Sequence, residues 1–539
     1  MMNTRNLTLI DCTFRDGGYY NNWDFPADLI ADYLAAMEAA AVDYVELGFR
    51  SFDKSGGFRG ACAFTTDNFI RSLNVPAGLK VGVMMNASEV VKHPAGPLEA
   101  AKLMFVPAAE SPVSLVRFAC HVHEFEATLP ACALLKEMGY VVGINLMQVA
   151  DRSEEEIEQI ARVASRYPLD ALYFADSLGS MDPEQTAQIV RALRGHWHGA
   201  LGIHTHDNMG RAVANTLRAI EEGVSWVDST VTGMGRGPGN AQTEYVVIEL
   251  EKYRDRKINV TPLLGLVRRH FQPLKTQCGW GINTYYYLAG KYGIHPTYIQ
   301  EMLTDSRYSE EDILAVIEHL KTAGGKKFSL SALESARHFY SGEARGQWVP
   351  ADSIEGREVL VLGAGPGVHA HRPALEAFIR EHKPFVIALN TQKTLEESLI
   401  DIRAACHPVR LLADCSEHAR LPHPLATPAS MLPEDVRNAL GGKELLDFGL
   451  SVKPGVFEFH DHYAVLPTSL VVAYALAIAT SGRAQRILLA GFDGYGADDP
   501  RSTEMETLFE IYSETAGALP LVSITPTRYG IHKASVYAF

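Results

Sequence analysis

Residues 9–25 read LIDCTFRDGGYYNNWDF: a short apolar run that ends on charge and sets Arg15 and Asp16 directly before Gly17 and Gly18. A guanidinium beside a carboxylate offers an anion clamp next to a cation ligand, and two glycines allow other atoms close approach. Residues 201–207 read LGIHTHD, where His204 and His206, two apart in an extended strand, place both imidazoles on one face. Two neutral imidazoles and a carboxylate are a common donor set for a divalent ion, with positions left for water and substrate. A third stretch, TGMGRGPGNAQTE at 232–244, places four glycines before Asn240, whose amide oxygen suits a further metal ligand or an orienting group. The same glycines also fit a phosphate cradle. Plainer readings stand beside these: HxH as two barrel-filling residues, and Arg–Asp as a loop ion pair.

These side chains need elements to bring them together. Eight β-like runs recur at intervals of 25 to 37 residues: 7–14, 43–49, 80–86, 114–121, 141–148, 171–177, 201–207 and 226–233. Between them lie helical patterns such as ADLIADYLAAMEAA and SEEEIEQIARVASRY, with apolar residues three and four apart. Strand–helix alternation eight times over predicts an α/β fold of the (β/α)8 TIM-barrel type. An open doubly wound sheet is the competing architecture, although the first βα turn lacks GxGxxG. In a barrel the carboxyl ends of the strands carry function, so Glu46, Arg50, Asn86, Arg117, Asn145, Gln148 and Asp176 become candidate pocket residues. Glu46 and Asp176 could orient other groups, and Arg50 and Arg117 could meet a substrate carboxylate; loop ion pairs are the alternative for each.

The pattern divides the chain into a barrel at 1–258, an appended helical region at 259–347, and a second, Rossmann-like α/β domain at 348–539. Helices are expected at TPLLGLVRRHFQPL, YYYLAGKYGIHPTYIQEML and SEEDILAVIEHLK. The second domain opens with VLVLGAGPG, a strand and a Gly-rich turn whose backbone N–H groups could meet a phosphate. Its spacing falls short of the full dinucleotide pattern.

The formal charge of −15 across 539 residues, without a Lys/Arg run, argues against nucleic acid and anionic membrane as partners and favours small molecules. Seven scattered cysteines without CxxC suit a reducing compartment, so a cytoplasmic location is expected. The start, MMNTRNLTLIDC, lacks a signal-peptide core, and Leu466–Thr480 is too short and too polar to span a membrane, which predicts a buried helix there.

RDG after the first strand, DSLGSMDP after the sixth, and HTHDNMGRAVANTLRAIEEGVSWVDSTVTGMGRGPGNAQTE resemble the DRE-TIM metallolyase superfamily, which holds hydroxymethylglutaryl-CoA lyase, 4-hydroxy-2-oxovalerate aldolase, and the isopropylmalate and homocitrate synthases. The resemblance covers about residues 7 to 250 and, less sharply, the helices to 345. It implies that Asp16, His204 and His206 are metal ligands, that Asn240 is a fourth ligand, and that Arg15 steadies an enolate. It also implies a divalent cofactor, Mn2+ or Mg2+ with Zn2+ or Co2+ as alternatives, and a homo-oligomer. The family's aldolases carry a histidine soon after RDG as general base, whereas this chain has Tyr19 and Tyr20. Tyr19 could act through a water or could only position substrate, since a phenol is a poor base near pH 7 without a positive neighbour. In the second domain, 470–496 resembles sialyltransferase-like polysaccharide-biosynthesis domains, which implies a nucleotide or nucleotide-sugar site near Gly363, Gly365, Gly367, Asn390 and Asp493. A degenerate domain used for assembly is the alternative.

The resulting expectation is a divalent-metal aldolase that makes or breaks a bond between a pyruvate-type enolate and an aldehyde, with a sugar aldehyde in carbohydrate biosynthesis as one form of it. The alternatives are a Claisen-type acyl-CoA synthase or lyase, disfavoured by Arg236 and Gly237 where the CoA lyases keep a cysteine, and a non-catalytic scaffold barrel.

Overall fold

The computed structural model describes residues 7–52, 58–304, 313, 314, 316, 317, 320, 321, 340, 343–432, 434–495 and 499–539. The chain divides into two compact units, Met1–Thr304 and Asp305–Phe539.

In the first unit, eight strands pair in sequence order: β1 (Thr8–Asp11), β2 (Tyr44–Phe49), β3 (Lys80–Asn86), β4 (Val113–Cys120), β5 (Val141–Leu146), β6 (Ala171–Asp176), β7 (Ala200–Thr205) and β8 (Trp226–Ser229). Each neighbour is parallel, and β8 returns to β1, so the sheet closes into a barrel and the open-sheet alternative is excluded. Helices cover its outside for local reasons. The helix Glu154–Ala164 starts at a capping box of Ser153 and Glu156 and buries Ile157, Ile160, Ala161 and Ala164 on one stripe. Burying each such large aliphatic chain contributes about 1.5–3 kcal/mol. Inside, Ile10, Cys12, Tyr44, Leu115, Ala171 and Tyr173 plug the barrel, so it is a packed core and the chemistry is confined to its mouth.

Two strands are shorter than the sequence suggests. β1 stops at Asp11, whose carboxylate accepts Thr13 N (2.9 Å), Tyr33 Oη (2.6 Å) and Thr243 Oγ1 (2.5 Å), and the chain turns into a short helix, Thr13–Gly17. Arg15 and Asp16 therefore sit on a helical turn above the strand. β8 likewise ends at Ser229, before the glycine loop.

Helices at Thr261–Leu266, Gln272–Cys278, Thr284–Tyr292 and Pro296–Thr304 follow the barrel within the first unit. The stretch expected as one helix over YYYLAGKYGIHPTYIQEML is two, because Gly293 takes a left-handed conformation (φ 67°) and Pro296 starts a new helix. SEEDILAVIEHLK lies for the most part outside the described residues.

The second unit holds β9 (Glu358–Leu362), β10 (Phe385–Leu389), β11 (Ile402–Ala404), β12 (Leu425–Thr427), β13 (Leu445–Asp447), β14 (Gly449–Val452), β15 (Glu458–Phe459), β16 (Tyr463–Leu466), β17 (Arg486–Ala490), β18 (Leu521–Ser523) and β19 (His532–Lys533). Eight of them form a parallel sheet in the order β13-β12-β11-β10-β9-β17-β18-β19, a Rossmann-like doubly wound arrangement whose direction of winding reverses beside β9. The segment before β9 belongs to this unit, since Gln347 N and Trp348 N both donate to Asp447 O. Leu466 ends β16, and the buried helix expected there spans Val471–Ser481. No helix among the described residues is long and apolar enough to cross a membrane. All seven cysteines are free thiols.

Candidate metal centre

Asp16 and His204 meet at the barrel mouth. Asp16 Oδ2 lies 3.3 Å from His204 Nε2, and on the other side of the ring His204 Nδ1 lies 3.0 Å from Asp228 Oδ2. Burial pulls the His204 pKa down, but hydrogen bonds to Asp16 and Asp228 outweigh it and raise it, so the imidazole holds a proton readily between the two carboxylates and a cation at Nε2 would take that proton's place. The ring of His206, one residue past the end of β7, lies 5.3 Å from that of His204. His206 is also bridged to Asn240, and Asp207 N donates to Gly239 O at 2.8 Å, so the glycine loop is laced to the end of β7. Gly239 makes this approach possible: it has φ +76°, and a Cβ there would fall 2.0 Å from Gly233 O.

Behind these groups runs a buried ion lattice. Arg15 donates through Nη1 to Asp16 Oδ1 (2.5 Å) and through Nε to Glu46 Oε2 (2.9 Å). Arg117, fully buried, donates to Glu46 through Nε and Nη2 (both 2.8 Å) and grips both oxygens of Asp228 through Nη1 (2.8 and 2.9 Å). Its guanidinium stacks over Tyr173, 4.6 Å from the ring centre. Two guanidiniums against three carboxylates leave one net negative charge beside the imidazoles, which suits an added cation. Burial pushes the Asp16 carboxyl up, but the Arg15 guanidinium and His204 outweigh it and hold it well below the usual range. Burial, and then His204, pulls His206 down to about 3, so its imidazole is neutral and able to ligate. Arg15 Nη2 is buried and has no hydrogen-bond partner among the described residues.

Asp16, His204 and His206 are donors of the types a divalent cation takes, and Asp16 meets His204, but the ligand atoms of the three are not all within 4.8 Å of one another. Asn240 Nδ2 donates to Asp16 Oδ2 at 2.9 Å, which places the amide beside the carboxylate it could orient. Among the described residues another trio, Cys12, His204 and Asp228, has its ligand atoms within 4.8 Å of one another. That trio is the poorer cation site, because Arg117 Nη2 lies 3.2 Å from Cys12 Sγ while Nη1 grips Asp228. Burial and Asp228 also push the Cys12 thiol well up, which keeps it protonated.

Residues 6–267 match the family model described as HMGL-like. The N-terminal half of the chain is an HMGL-like domain. The 4-hydroxy-2-oxovalerate aldolase of Carboxydothermus hydrogenoformans is 28% identical over 337 residues, 60% of this chain and 95% of that enzyme. The oxaloacetate decarboxylase of Mycobacterium tuberculosis is 28% identical over 249 residues, 46% of this chain and 71% of that protein. The crystal structure of the N-terminal domain of a candidate aldolase from Bacteroides vulgatus superposes with a TM-score of 0.51 at 28% identity, covering 56% of this chain and 98% of that one.

The remaining residues singled out from sequence occupy different places in the HMGL-like domain. Glu46 and Arg117 lie beneath the mouth, spent on each other and on Arg15 and Asp228, so they position the site from below. Arg50 donates to Thr65 O and Met104 O (both 2.9 Å) and pairs with Asp67, which makes it a clamp on the loops after β2 and β3. Asn86 donates to Glu89 at 3.0 Å. Asp176 accepts Ser180 N (3.0 Å) and Met181 N (3.2 Å), closing the loop after β6. Gln148 N donates to Ser177 Oγ at 3.0 Å. Asn145, on the inward face of β5, has a buried Oδ1 without a hydrogen-bond partner among the described residues. Tyr19 lies at the rim under Arg236.

The helices after the barrel pack on this same end. Trp280 Nε1 donates to Thr232 O (3.1 Å), Gly281 N to Gly237 O (3.0 Å), and Gly290 touches Asn208 and Gly179. They also bring in His295, a residue that sequence reasoning passed over. It is buried, and desolvation, then Arg236 and His206, hold it down to about 3. Its only sequence signal is the HP dipeptide that starts the helix at Pro296.

In the second unit, the turns after β9 and β17 are packed together. A Cβ on Gly363 would fall 2.6 Å from Gly491 O, one on Gly365 2.2 Å from Asp493 Oδ2, and one on Gly367 2.6 Å from Asp493 Oδ1. Asn390 follows β10 with φ +50°, and Gln392 Nε2 donates to Gly363 O at 2.8 Å. Gly363, Gly365, Gly367 and Asp493 thus come together, with Asn390 two residues from the Gln392 that reaches them. The space that the glycines clear is filled by the carboxylate of Asp493, which repels a phosphate and favours hydroxyl donors.

Proposed function

We propose that the HMGL-like domain is a divalent-metal-dependent carbon–carbon lyase or aldolase that joins or separates a pyruvate-type enolate and an aldehyde. The observation that carries this reading is the alignment Asp16–His204–Asp228, with the unspent Nη2 of Arg15 beside it. Asp16, His204 and His206 would hold the cation, which supplies Lewis acidity toward a keto or carboxylate oxygen when bound. Arg15 is kept in place by Asp16, by Glu46 and by the Trp23 indole, which donates to its carbonyl at 3.0 Å. Its free N–H would donate to the oxygen on which negative charge grows as the carbon–carbon bond breaks. Such a contact strengthens along the reaction and so raises turnover more than binding. Two relatives with the names aldolase and oxaloacetate decarboxylase support this reading, since both chemistries pass through the enolate of pyruvate. A homo-oligomer and a cytoplasmic location remain part of the proposal.

A sugar aldehyde as acceptor is the narrower form of the proposal. It rests on the second unit, where Asp493 and Asn390 at the winding reversal suit the hydroxyls of a nucleoside or sugar. Equilibrium binding of nucleosides against nucleoside diphosphates tests it, with tighter binding of the diphosphate counting against the Asp493 argument.

The test of the main proposal is pyruvate methyl-proton exchange in deuterated water together with oxaloacetate decarboxylation, without any CoA ester. Both should require Mn2+ or Mg2+ and fall at least about 100-fold in Arg15→Ala. Absence of both reactions from the metal-loaded protein would refute it.

A further inference from the structure

Arg236 bridges the two loops that build the candidate centre. It stands in the loop after β8 that carries Asn240, and its guanidinium lies over Tyr19 of the loop that carries Arg15 and Asp16. The guanidinium carbon is 4.1 Å from the ring centre, and Nη2 donates to the phenolic oxygen at 3.2 Å. Tyr19 packs edge-on against Trp23 at 4.7 Å, and the same Trp23 holds the Arg15 carbonyl. On the other side Gly237 takes φ +56° and accepts Gly281 N at 3.0 Å, and a Cβ on it would fall 3.1 Å from the Tyr286 ring. The backbone beside Arg236 is thus braced by the helical region, and its side chain is held at the rim by an aromatic ring.

The charge of Arg236 is unspent. Arg15, Arg50 and Arg117 each pair with a carboxylate. Among the described residues no carboxylate pairs with Arg236, and the phenol takes the one hydrogen bond of its side chain. The residue is exposed, so the rest of its fork of N–H donors is open to solvent. Arg236 also helps to hold His206 and His295 neutral, which puts its charge within electrostatic reach of a candidate ligand. We propose that Arg236 receives an anionic group, a carboxylate or a phosphate, at the far end of the acceptor, so that the substrate class is an aldehyde with an acidic tail. The inference rests on the function proposed above. A guanidinium already ordered against a ring gives up little freedom on binding an oxyanion, and its charge-assisted hydrogen bonds are about twice as strong as neutral ones. An uncharged aldehyde leaves the cation in water and gains nothing from it. Because the contact is remote from the bond that forms, it is made in the ground state as well as in the transition state, and it acts on the KM of the aldehyde more than on kcat.

Two matched pairs of aldehydes test this with the Mn2+-loaded full chain and pyruvate: succinic semialdehyde against butanal, and glyceraldehyde 3-phosphate against glyceraldehyde. The first pair reads a carboxylate and the second a phosphate. In at least one pair the native protein should favour the anionic member by about 10-fold or more in kcat/KM, with most of the difference in KM. That ratio should shrink to within about 3-fold in Arg236→Ala and be partly kept in Arg236→Lys, which retains the charge without the fork. The ratio, and not the rate, is the readout, so a general loss from a disturbed loop does not imitate the result. Equal use of charged and uncharged aldehydes by the native protein overturns the proposal, as does an undiminished ratio, or an equal fall for both members of a pair, in Arg236→Ala. Pyruvate proton exchange without condensation of either anionic aldehyde overturns it as well, while the proposed function stands. Failure of the native protein to catalyse exchange or oxaloacetate decarboxylation overturns both.

Discussion

Asp228 and Arg117 face each other deep in the barrel, with one guanidinium nitrogen on both carboxylate oxygens, and the same carboxylate holds His204 Nδ1. One buried acid thereby ties the scaffold to the orientation of an imidazole at the mouth.

Asp228→Asn should separate these two roles. The amide keeps the shape but lets the His204 tautomer reverse, and loss of an outer partner of this kind lowers metal affinity by about 10- to 100-fold. Mn2+ titration of the folded variant checks this. An affinity equal to that of the native protein would show that Asp228 serves the scaffold alone.

Arg117→Leu leaves Glu46 and Asp228 short of a partner inside the barrel. Removing one member of a buried ion lattice destabilises by about 3–5 kcal/mol, so the unfolding midpoint in urea should fall markedly. Adding Glu46→Gln should return part of that loss, since it removes one of the two stranded charges; a double variant less stable than the single would contradict the lattice.

Gly239→Ala probes the loop after β8. Its backbone is left-handed and a Cβ would meet Gly233 O, so the loop must move and take Asn240 with it. The expected result is weaker Mn2+ binding with the barrel still folded by circular dichroism.

His206 and His295 set an acid dependence. Both are neutral in the fold and ionise only near about 3, whereas an unfolded histidine takes its proton at about 6.5. Between those values the unfolded chain binds more protons, so stability rises with pH from about 3 to about 6.5 and levels off above. Each histidine adds a slope of about 1.4 kcal/mol per pH unit in that window. Trp23, Trp197, Trp226 and Trp280 lie in the first unit and report its unfolding by fluorescence. In chelator-treated protein, His295→Phe should flatten the acid slope; an unchanged slope would contradict the neutral burial of His295.

The strands were legible because buried parallel strands read as apolar, β-branched runs, and HTH placed two imidazoles on one face by its period alone. What the sequence did not reveal was depth. Glu46 and Arg117 stand near strand ends like true pocket residues, yet their side chains point inward and downward to satisfy one another, a choice visible only once the barrel closes. Asp228 escaped notice because it lies inside β8, four residues before the loop that drew attention. His295 is remote in sequence and reaches the site only through helices folded over the mouth. The helical turn bearing Asp16 cuts short the strand expected over 7–14 because Asp11 captures Thr13, a local bond that no hydrophobic period reports.

The central claim, one divalent ion held by Asp16, His204 and His206, is tested most directly by titrating the chelator-treated protein with Mn2+ and following it by electron paramagnetic resonance. One site per chain with imidazole nitrogen coupling, weakened at least about 100-fold in Asp16→Asn, is the predicted result. A site without nitrogen coupling, or full affinity in Asp16→Asn, would contradict it.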